Sequence, residues 1–429
     1  MEHDVIALIA AFILLFGLVS KRLERTLISS PMVFTAFGVL LSASVLGVVE
    51  LSLESAVLNL VAELTLVVLL FSDAARIDLV QLRRAHRIPV RLLSVGLPLT
   101  VLLGLAVGVT VNAVFTLGMS FWELALVAVI LAPTDAALGQ AVVNLPVIPV
   151  RIRQALNVES GLNDGIVLPV LLLCASFAHM AETQALFWLE FAALQLTLGP
   201  LVGIAVGYLG GWALVRAQRH MWVNDAFQRI SALGIALLAF SAAEWVGGNG
   251  FIAAFVAGLT LGNSARGICH CLYEFAEAEG QLLTLLTFML FGAVMVVPAL
   301  AAATPAVWLY ALLSLTLVRM IPVALSVRGL GLRLPTTLFL AWFGPRGVAS
   351  ILYVLLLLEE GSLPNQTTIN ALVFITVVLS IVLHGLSALP AARAYGRFAQ
   401  RNDMSAEHQH VPEMPVRVHW QADAPEVVS

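Results

Sequence analysis

The stretch NVESGLNDGIVLPVLLL opens an apolar run of membrane length with two carboxylates and two amides inside it. An ionised side chain near the centre of a bilayer costs about 2.5–3.5 kcal/mol on insertion scales, so a membrane helix keeps one only for a function or a partner. On a helix, Asn157, Ser160 and Asp164 share one face. Glu159 and Asn163 share another face about 100° away. One face can therefore hold a mobile ion while the other is tied to the structure.

Three more ionisable residues lie within apolar runs and away from their ends, namely Asp135, Arg319 and Arg346. Polar side chains can simply hold membrane helices together through hydrogen bonds, and that interpretation stays open for each residue. It is incomplete for five charges of unequal sign, because each buried charge needs compensation. The set therefore favours a site that handles ions.

Two of the apolar runs contain helix breakers beside a charge. LAPTDAALG places Pro133 next to Thr134 and Asp135, and WFGPRGVAS places Arg346 among two glycines and a proline. Proline removes a backbone donor and disfavours the helical conformation of the preceding residue, so both runs should unwind in mid-membrane. Unwound helices expose dipole ends of both signs, and Asp135 and Arg346 can offset those partial charges.

The composition shows what elements position these residues. With 60% hydrophobic against 11% charged residues over a length of 429, and a mean hydropathy of +0.98, the chain is predicted to be an all-α polytopic membrane protein. A window of about 20 residues finds thirteen apolar segments. The predicted segments are residues 5–21, 30–47, 57–73, 92–115, 121–143, 154–178, 187–215, 229–246, 249–263, 283–300, 305–325, 337–358 and 368–390.

The distribution of positive charge predicts the orientation. If the N-terminus is outside, every Lys and Arg that lies between segments falls on the inner side, as the positive-inside rule requires. The fifth and twelfth segments, which carry the breaks, then cross in opposite directions. This pattern is typical of two inverted six-helix repeats with crossed, discontinuous helices, here segments 1–6 and 8–13. We expect a transmembrane domain over residues 1–395 and a polar, disordered cytoplasmic tail over residues 396–429.

The net charge and the cysteine content limit the kinds of partner and covalent framework that the chain can have. A net charge of -4 offers no basic surface for nucleic acid, and three cysteines give no disulfide framework. The expected partners are the lipid bilayer and the transported ions, and we expect no cofactor.

The motifs resemble a known family. APTDAA, the spacing of 29 residues between Asp135 and Asp164 in VESGLNDG, Arg319 in LTLVRMIPV, and WFGPRGVAS are similar to the NhaP/NHE-type sodium–proton antiporters of the monovalent cation:proton antiporter-1 family. The resemblance covers residues 1–395. It implies a 13-helix fold like those of NhaA and NhaP, with a dimerisation domain and a six-helix core, and so a homodimer.

The resemblance also implies roles for individual residues. Asp164 would bind a cation or a proton in alternation, Asn163 would bridge the unwound stretch near Thr134 and Asp135, and Ser160 would supply a ligand. The acid matching Glu159 would pair with the arginine matching Arg319.

The chemistry of the residues agrees with this assignment. A small hard cation prefers carboxylate, carbonyl and hydroxyl oxygens, and Asp164, Ser160 and Thr134 supply them together with freed carbonyls of the fifth segment. Burial of a carboxylate in an apolar bundle favours its neutral form, so that sodium and proton compete for one site. Because Asn163 cannot titrate, we expect one-for-one, electroneutral exchange by alternating access. Asp73, at the inner end of the third segment, either attracts cations to the site or is an ordinary solvated residue.

Several alternatives stay open. The function expected is exchange of sodium or lithium for protons in pH homeostasis at a bacterial inner membrane, and potassium–proton exchange on the same fold is the main alternative. A cation channel would usually repeat a pore loop of carbonyls, and no TVGYG-like stretch occurs. An intramembrane aspartyl protease would carry its second acid in Gly-x-Gly-Asp, whereas Asp164 follows Gly-Leu-Asn. No enzymatic activity is expected.

Overall fold

In the computed structural model, helices joined by turns and loops make up the part of the chain that is described. The described residues are 2–23, 26–49, 53, 55–80, 82, 87–143, 145–178, 185–265, 269–361, 363–401 and 406–409. Within them, the only extended pairing is an isolated bridge between Ser42 and Val49.

The helices follow one another with short connections. In chain order they are α1 (Glu2–Leu23), α2 (Ser30–Leu41), α3 (Ala56–Ala75), α4 (Arg87–Arg91), α5 (Leu97–Phe115), α6 (Phe121–Ile130), α7 (Ala136–Val143), α8 (Val150–Ala178), α9 (Ala185–Arg219), α10 (Asp225–Trp245), α11 (Gly250–Ser264), α12 (Cys269–Leu290), α13 (Val297–Ala301), α14 (Pro305–Leu315), α15 (Leu317–Ser326), α16 (Leu334–Trp342), α17 (Val348–Glu360) and α18 (Gln366–Arg401). Two π-helical turns, Leu92–Gly96 and Phe291–Val296, join α4 to α5 and α12 to α13.

The membrane character of the chain follows from the length and composition of these helices. Among the described residues, nine helical stretches are long and apolar enough to cross a bilayer, and four shorter apolar helices accompany them. The shorter ones are Ser30–Leu41, Phe121–Ile130, Gly250–Ser264 and Val348–Leu358. The prediction of a multi-pass, all-helical membrane protein is confirmed.

Both predicted breaks are present. The fifth segment is helical as α6 up to Ile130 and again as α7 from Ala136, and the twelfth is helical as α16 up to Trp342 and again as α17 from Val348. Pro133 and Pro345 lie in these gaps, where their missing N–H groups and their effect on the preceding residue prevent a continuous helix. The chain therefore presents four helix ends inside the bundle.

The N-terminal end of α6 is fixed by a capping box. Ser120 accepts a hydrogen bond from the N–H of Glu123, and the Glu123 carboxylate accepts one from the N–H of Ser120. The same carboxylate accepts two hydrogen bonds of 3.0 Å from the backbone and side chain of Asn365, just before α18. The first broken helix is thus anchored to α18 before it reaches the break.

Helices α3, α9 and α11 pack backbone to backbone. A Cβ atom on Gly258 would lie 2.1 Å from the carbonyl oxygen of Phe71, and one on Gly262 would lie 2.0 Å from that of Ala75. On the other side of α11, a Cβ on Gly207 of α9 would lie 2.5 Å from the Ala257 carbonyl oxygen. Small residues allow such close approach between membrane helices, and here only glycine fits.

The buried apolar side chains form two clusters. The larger one fills most of the bundle, and a smaller one joins α4, α7, α8, α15, α16 and α18 at one end. Tyr395 and Ala399 belong to the smaller cluster, because α18 continues past the predicted domain boundary at residue 395 as far as Arg401. Ala406 and Glu407 also contact this end of the bundle. The expectation of a disordered tail stays a prediction for residues 402–405 and 410–429, which lie outside the described part of the chain.

Candidate functional site

Asp135 connects the two breaks. Its backbone N–H donates to the carbonyl of Pro345 over 2.8 Å. Its carboxylate accepts from the N–H of Ala137 through Oδ1 and from the N–H of Val348 through Oδ2, both at 2.7 Å. One carboxylate therefore caps the N-terminal ends of α7 and α17 together, where the helix dipoles favour negative charge. The approach is so close that a Cβ on Gly347 would lie 1.8 Å from Oδ2.

Arg346 binds the carbonyl groups that follow the C-terminal end of α6. Its side chain is fully buried, and Nη1 donates to the carbonyls of Ala132 and Pro133 over 2.7 and 2.9 Å. These carbonyls follow α6, whose C-terminal end carries the negative end of its dipole. Its backbone N–H donates to the hydroxyl of Ser380 over 2.7 Å. An acid thus faces two helix N-termini and a base faces a C-terminus, where each charge is opposite in sign to the nearby end of the helix dipole.

Three residues that the sequence analysis missed hold the breaks in place. The Ser350 hydroxyl donates to the carbonyl of Ile130 over 2.8 Å. His384 is buried, with Nδ1 3.0 Å from the carbonyl of Ser380 and Nε2 2.9 Å from the carbonyl of Trp342 at the end of α16. The spacing of four residues between Ser380 and His384, inside an otherwise apolar helix, is the signal that indicates one polar face on α18.

The polar stretch on α8 lies against the first break. The Asn163 amide donates to the hydroxyl of Thr134 over 2.7 Å and to its carbonyl over 3.3 Å. Ser160 is buried and donates its hydroxyl to the carbonyl of Leu156 over 2.9 Å, so that its oxygen lone pairs can still accept. Asp164 is half-buried, and its backbone carbonyl accepts from the Tyr353 hydroxyl over 2.8 Å. Asn163, the residue before Asp164, therefore contacts the first break.

Glu159 and Arg319 form a two-pronged ion pair. Nη1 and Nη2 donate to Oε1 and Oε2 over 2.5 and 2.9 Å, and the two side chains are 4% and 2% exposed. The guanidinium lies on the backbone of Gly344, where a Cβ would be 2.3 Å from Nε. The pair consequently ties α8 and α15 to the start of the second break.

Asp73 lies near the polar face of α8. It is buried, and its backbone carbonyl would be 3.7 Å from a Cβ on Gly161. Its attraction of cations stays a prediction, since that role depends on access from solvent.

Several oxygen atoms around the break are predicted cation ligands, and some of them already accept hydrogen bonds from protein groups. The Ala132 and Pro133 carbonyls already accept from Arg346, and the Thr134 carbonyl accepts from Asn163. The Asp164 carboxylate and the hydroxyl oxygens of Ser160 and Thr134 stay the predicted ligands, although the Thr134 hydroxyl also accepts from Asn163. Such a ligand set suits a small monovalent cation or a proton.

The sequence matches a known protein family and several known proteins. A model of the family described as sodium/hydrogen exchanger, transmembrane, matches residues 7–394. The K(+)/H(+) antiporter NhaP2 of Shewanella sp. strain ANA-3 is 24% identical over 395 residues, which cover 90% of this chain and 66% of that protein. The Na(+)/H(+) antiporter NhaS2 of Synechocystis sp. is 26% identical over 344 residues, covering 77% of this chain and 60% of that protein. The chain thus spans about two thirds of the length of the curated relatives that it matches.

A solved structure has the same fold. The sodium proton antiporter MjNhaP1 from Methanocaldococcus jannaschii superposes with a TM-score of 0.72 at 20% sequence identity, covering 90% of this chain and 100% of that one. At this identity the likeness concerns the fold alone.

Proposed function

Because the chain belongs to the transmembrane sodium/hydrogen exchanger family, we propose that it is a secondary active transporter that exchanges sodium or lithium for protons. The family consists of antiporters, so the coarser activity, monovalent cation–proton exchange across a membrane, follows from membership. The identity of the cation and the residues that carry it are the finer part of the proposal.

The observation that supports the proposal most is that the buried charges differ in the groups that they bind. Asp135 and Arg346 bind helix ends, and Glu159 and Arg319 bind each other. Asp164 is half-buried, and it follows Asn163, whose amide donates to Thr134 in the first break. We infer that Asp164 is the carboxylate that exchanges sodium for a proton, with Ser160 and Thr134 as further oxygen ligands.

Exchange follows from competition at that carboxylate. If the site changes sides only when it holds either a cation or a proton, movement of one part of the bundle against the other couples the two fluxes. Since Asn163 beside Asp164 carries no charge and Asp135 is held by two N–H groups, we expect one proton per sodium and electroneutral transport.

The proposed architecture is that of alternating access. Residues 1–395 would form thirteen spans in two inverted six-helix repeats, with α6–α8 and α14–α18 in the moving core and the glycine-packed helices α3, α9 and α11 in the static scaffold. We propose a homodimer in a bacterial inner membrane, with a role in pH homeostasis.

Potassium–proton exchange is the second candidate. NhaP2 of Shewanella is named for potassium and NhaS2 of Synechocystis for sodium, while the proposed ligands are oxygen atoms that either ion accepts. The alternatives of a different class, a cation channel and an intramembrane aspartyl protease, lack support from the family match.

The deciding experiment measures proton movement cation by cation. Purified protein is reconstituted into vesicles with an acidic interior, and a fluorescent dye reports the collapse of the pH gradient after addition of sodium, lithium, potassium or choline chloride. We expect a response to sodium and lithium, none to choline, and none in Asp164→Asn. A response to potassium alone would select the second candidate, and no response to any cation would overturn the proposal. Current under voltage clamp would identify a channel.

A further inference from the structure

A short segment beyond α18 is buried against one end of the bundle. Residues 406–408 form a turn, and Glu407 within it is 1% exposed. Its Oε1 accepts hydrogen bonds of 2.9 Å from the backbone N–H of Arg333 and from the hydroxyl of Thr336. Arg151 donates to the carbonyl of Ala406. A buried carboxylate in a polar segment needs such partners, because without them its burial would cost free energy.

The partners of Glu407 belong to the first half of the second broken helix. Arg333 is the N-cap residue of α16 and makes no side-chain cap bond of its own. The Glu407 carboxylate thus accepts at the N-terminus of α16, where negative charge is favourable. This nine-residue helix ends at Trp342, beside the break. The Trp342 carbonyl oxygen lies 2.9 Å from Nε2 of His384.

The same segment also reaches the other helices of the site. Arg151 is in the first turn of α8, the helix that carries Asp164. Tyr395 of α18 donates to the hydroxyl of Thr336 over 3.1 Å, so that Tyr395, Thr336 and Glu407 form a chain of hydrogen bonds. The segment therefore joins the ends of α8, α16 and α18 where the sequence places the inner side of the membrane.

We propose that residues 406–409 are a docked part of the transport core, and that Glu407 is a positioning residue which fixes the inner end of α16 and, through it, the second break. This inference rests on the proposed exchange activity for its functional part. The segment that docks on the ends of α8 and α16 belongs to the same chain, and the group that α16 binds is the Glu407 carboxylate. Glu407 touches no candidate cation ligand, so its loss should alter turnover and leave the affinity for the cation unchanged.

Docking can be tested without measuring transport. A Cβ on Gly331 would lie 3.7 Å from the Cβ of Ala406, within the usual 3.5–4.5 Å of a disulfide. In a background with the native cysteines replaced, Gly331→Cys with Ala406→Cys should cross-link on mild oxidation, as read by mass spectrometry of the digest. Gly329→Cys with Ala406→Cys is the matched control, because Gly329 has a similar positive φ and no atom within 4 Å of its Cβ. Equal cross-linking of both pairs, or none in the first, would refute docking.

The positioning role needs a second measurement. We expect Glu407→Ala to lower the maximal exchange rate about fivefold with an unchanged half-saturating cation concentration, and to speed hydrogen exchange at Arg333 and the first turn of α16 by a similar factor. Glu407→Gln, which keeps an acceptor oxygen, should recover part of both. His408→Ala is the control, since His408 is exposed in the same turn.

The outcomes separate the two proposals. Wild-type rate and hydrogen exchange in Glu407→Ala, or a change in cation affinity alone, would overturn the positioning role. If the unaltered protein moves no cation at all, the proposed function fails, while cross-linking and hydrogen exchange still decide whether the segment docks.

Discussion

At the scale of single residues, the buried charges differ in what compensates them. Asp135 accepts from two backbone N–H groups, Arg346 donates to two carbonyls, and Glu159 faces Arg319. These three arrangements are structural, because each charge stabilises a helix end or another charge. The carboxylate proposed to exchange ions is that of Asp164, which is half-buried.

Sodium should stabilise the protein through Asp164. A ligand that binds only the folded state at 100 times its dissociation constant adds about 2.7 kcal/mol to the free energy of unfolding. We expect sodium chloride to raise the melting temperature of the purified protein above that in choline chloride, and less so at acidic pH, where protons compete. Asp164→Asn should fold and lose this difference, whereas Asp78→Asn, a control in the turn after α3, should keep it. A sodium-dependent shift retained in Asp164→Asn would contradict the assignment.

The Glu159–Arg319 pair should behave as a structural unit. Removing one partner of a buried ion pair typically costs about 3–5 kcal/mol, because the remaining charge is left uncompensated. Glu159→Ala and Arg319→Ala should each lower the melting temperature and increase proteolysis, and the apolar double variant Glu159→Leu with Arg319→Met should recover part of the loss. Single variants as stable as the wild type would show that the pair contributes little.

At the scale of elements, the breaks depend on glycine as much as on charge. Ala at position 347 would place a methyl group 1.8 Å from Asp135 Oδ2, forcing the carboxylate away from the N–H of Val348. Leaving a buried donor unpaired costs about 1–3 kcal/mol, so Gly347→Ala should lower both thermal stability and exchange rate. Gly139→Ala, in α7 with open space around it, should lower neither. Equal behaviour of the two variants in melting and transport assays would refute this account.

The sequence predicted the elements of the site better than their partners. Proline and glycine beside Asp135 and Arg346 were sufficient to locate both breaks, because backbone chemistry is local. The sequence did not predict that Asp135 would cap α17 as well as α7. Helical periodicity indicates the face of a helix on which a residue lies, but not which residue of another helix it contacts. The spacing of Ser380 and His384 is only a weak signal, because single polar residues in an apolar helix are common. Glu407 carried no signal, as no apolar period surrounds it.

At the scale of the whole molecule, the stoichiometry distinguishes one exchanging acid from two. If Asp164 alone changes protonation, exchange carries no net charge. If Asp135 also did so, one charge moving through 100 mV would be worth about 2.3 kcal/mol and the rate would respond to membrane potential. The Asp135 carboxylate already accepts hydrogen bonds from two backbone N–H groups at helix N-termini, so we assign the exchange to Asp164 alone.

We therefore expect the exchange rate in vesicles to be insensitive to an imposed potential. The measurement compares sodium-driven proton movement with and without a potassium–valinomycin potential, or with a thiocyanate gradient if potassium proves to be a substrate. Clear acceleration by the potential would require a second titrating acid, and Asp135→Asn would then be the first variant to examine.

Substitutions should accumulate unevenly across this molecule. Gly258 and Gly262 of α11 lie so close to the carbonyls of α3 that no room is left for a methyl group. Any other residue at these two positions would therefore push α11 away from α3. Leu352 and Leu355 of α17 face α3 through side chains, and apolar side chains of similar volume can replace one another there. A saturation library selected for growth should lose nearly all variants at the two glycines and retain many at the two leucines. The pattern of tolerated alleles would then trace the helices that stay together during transport.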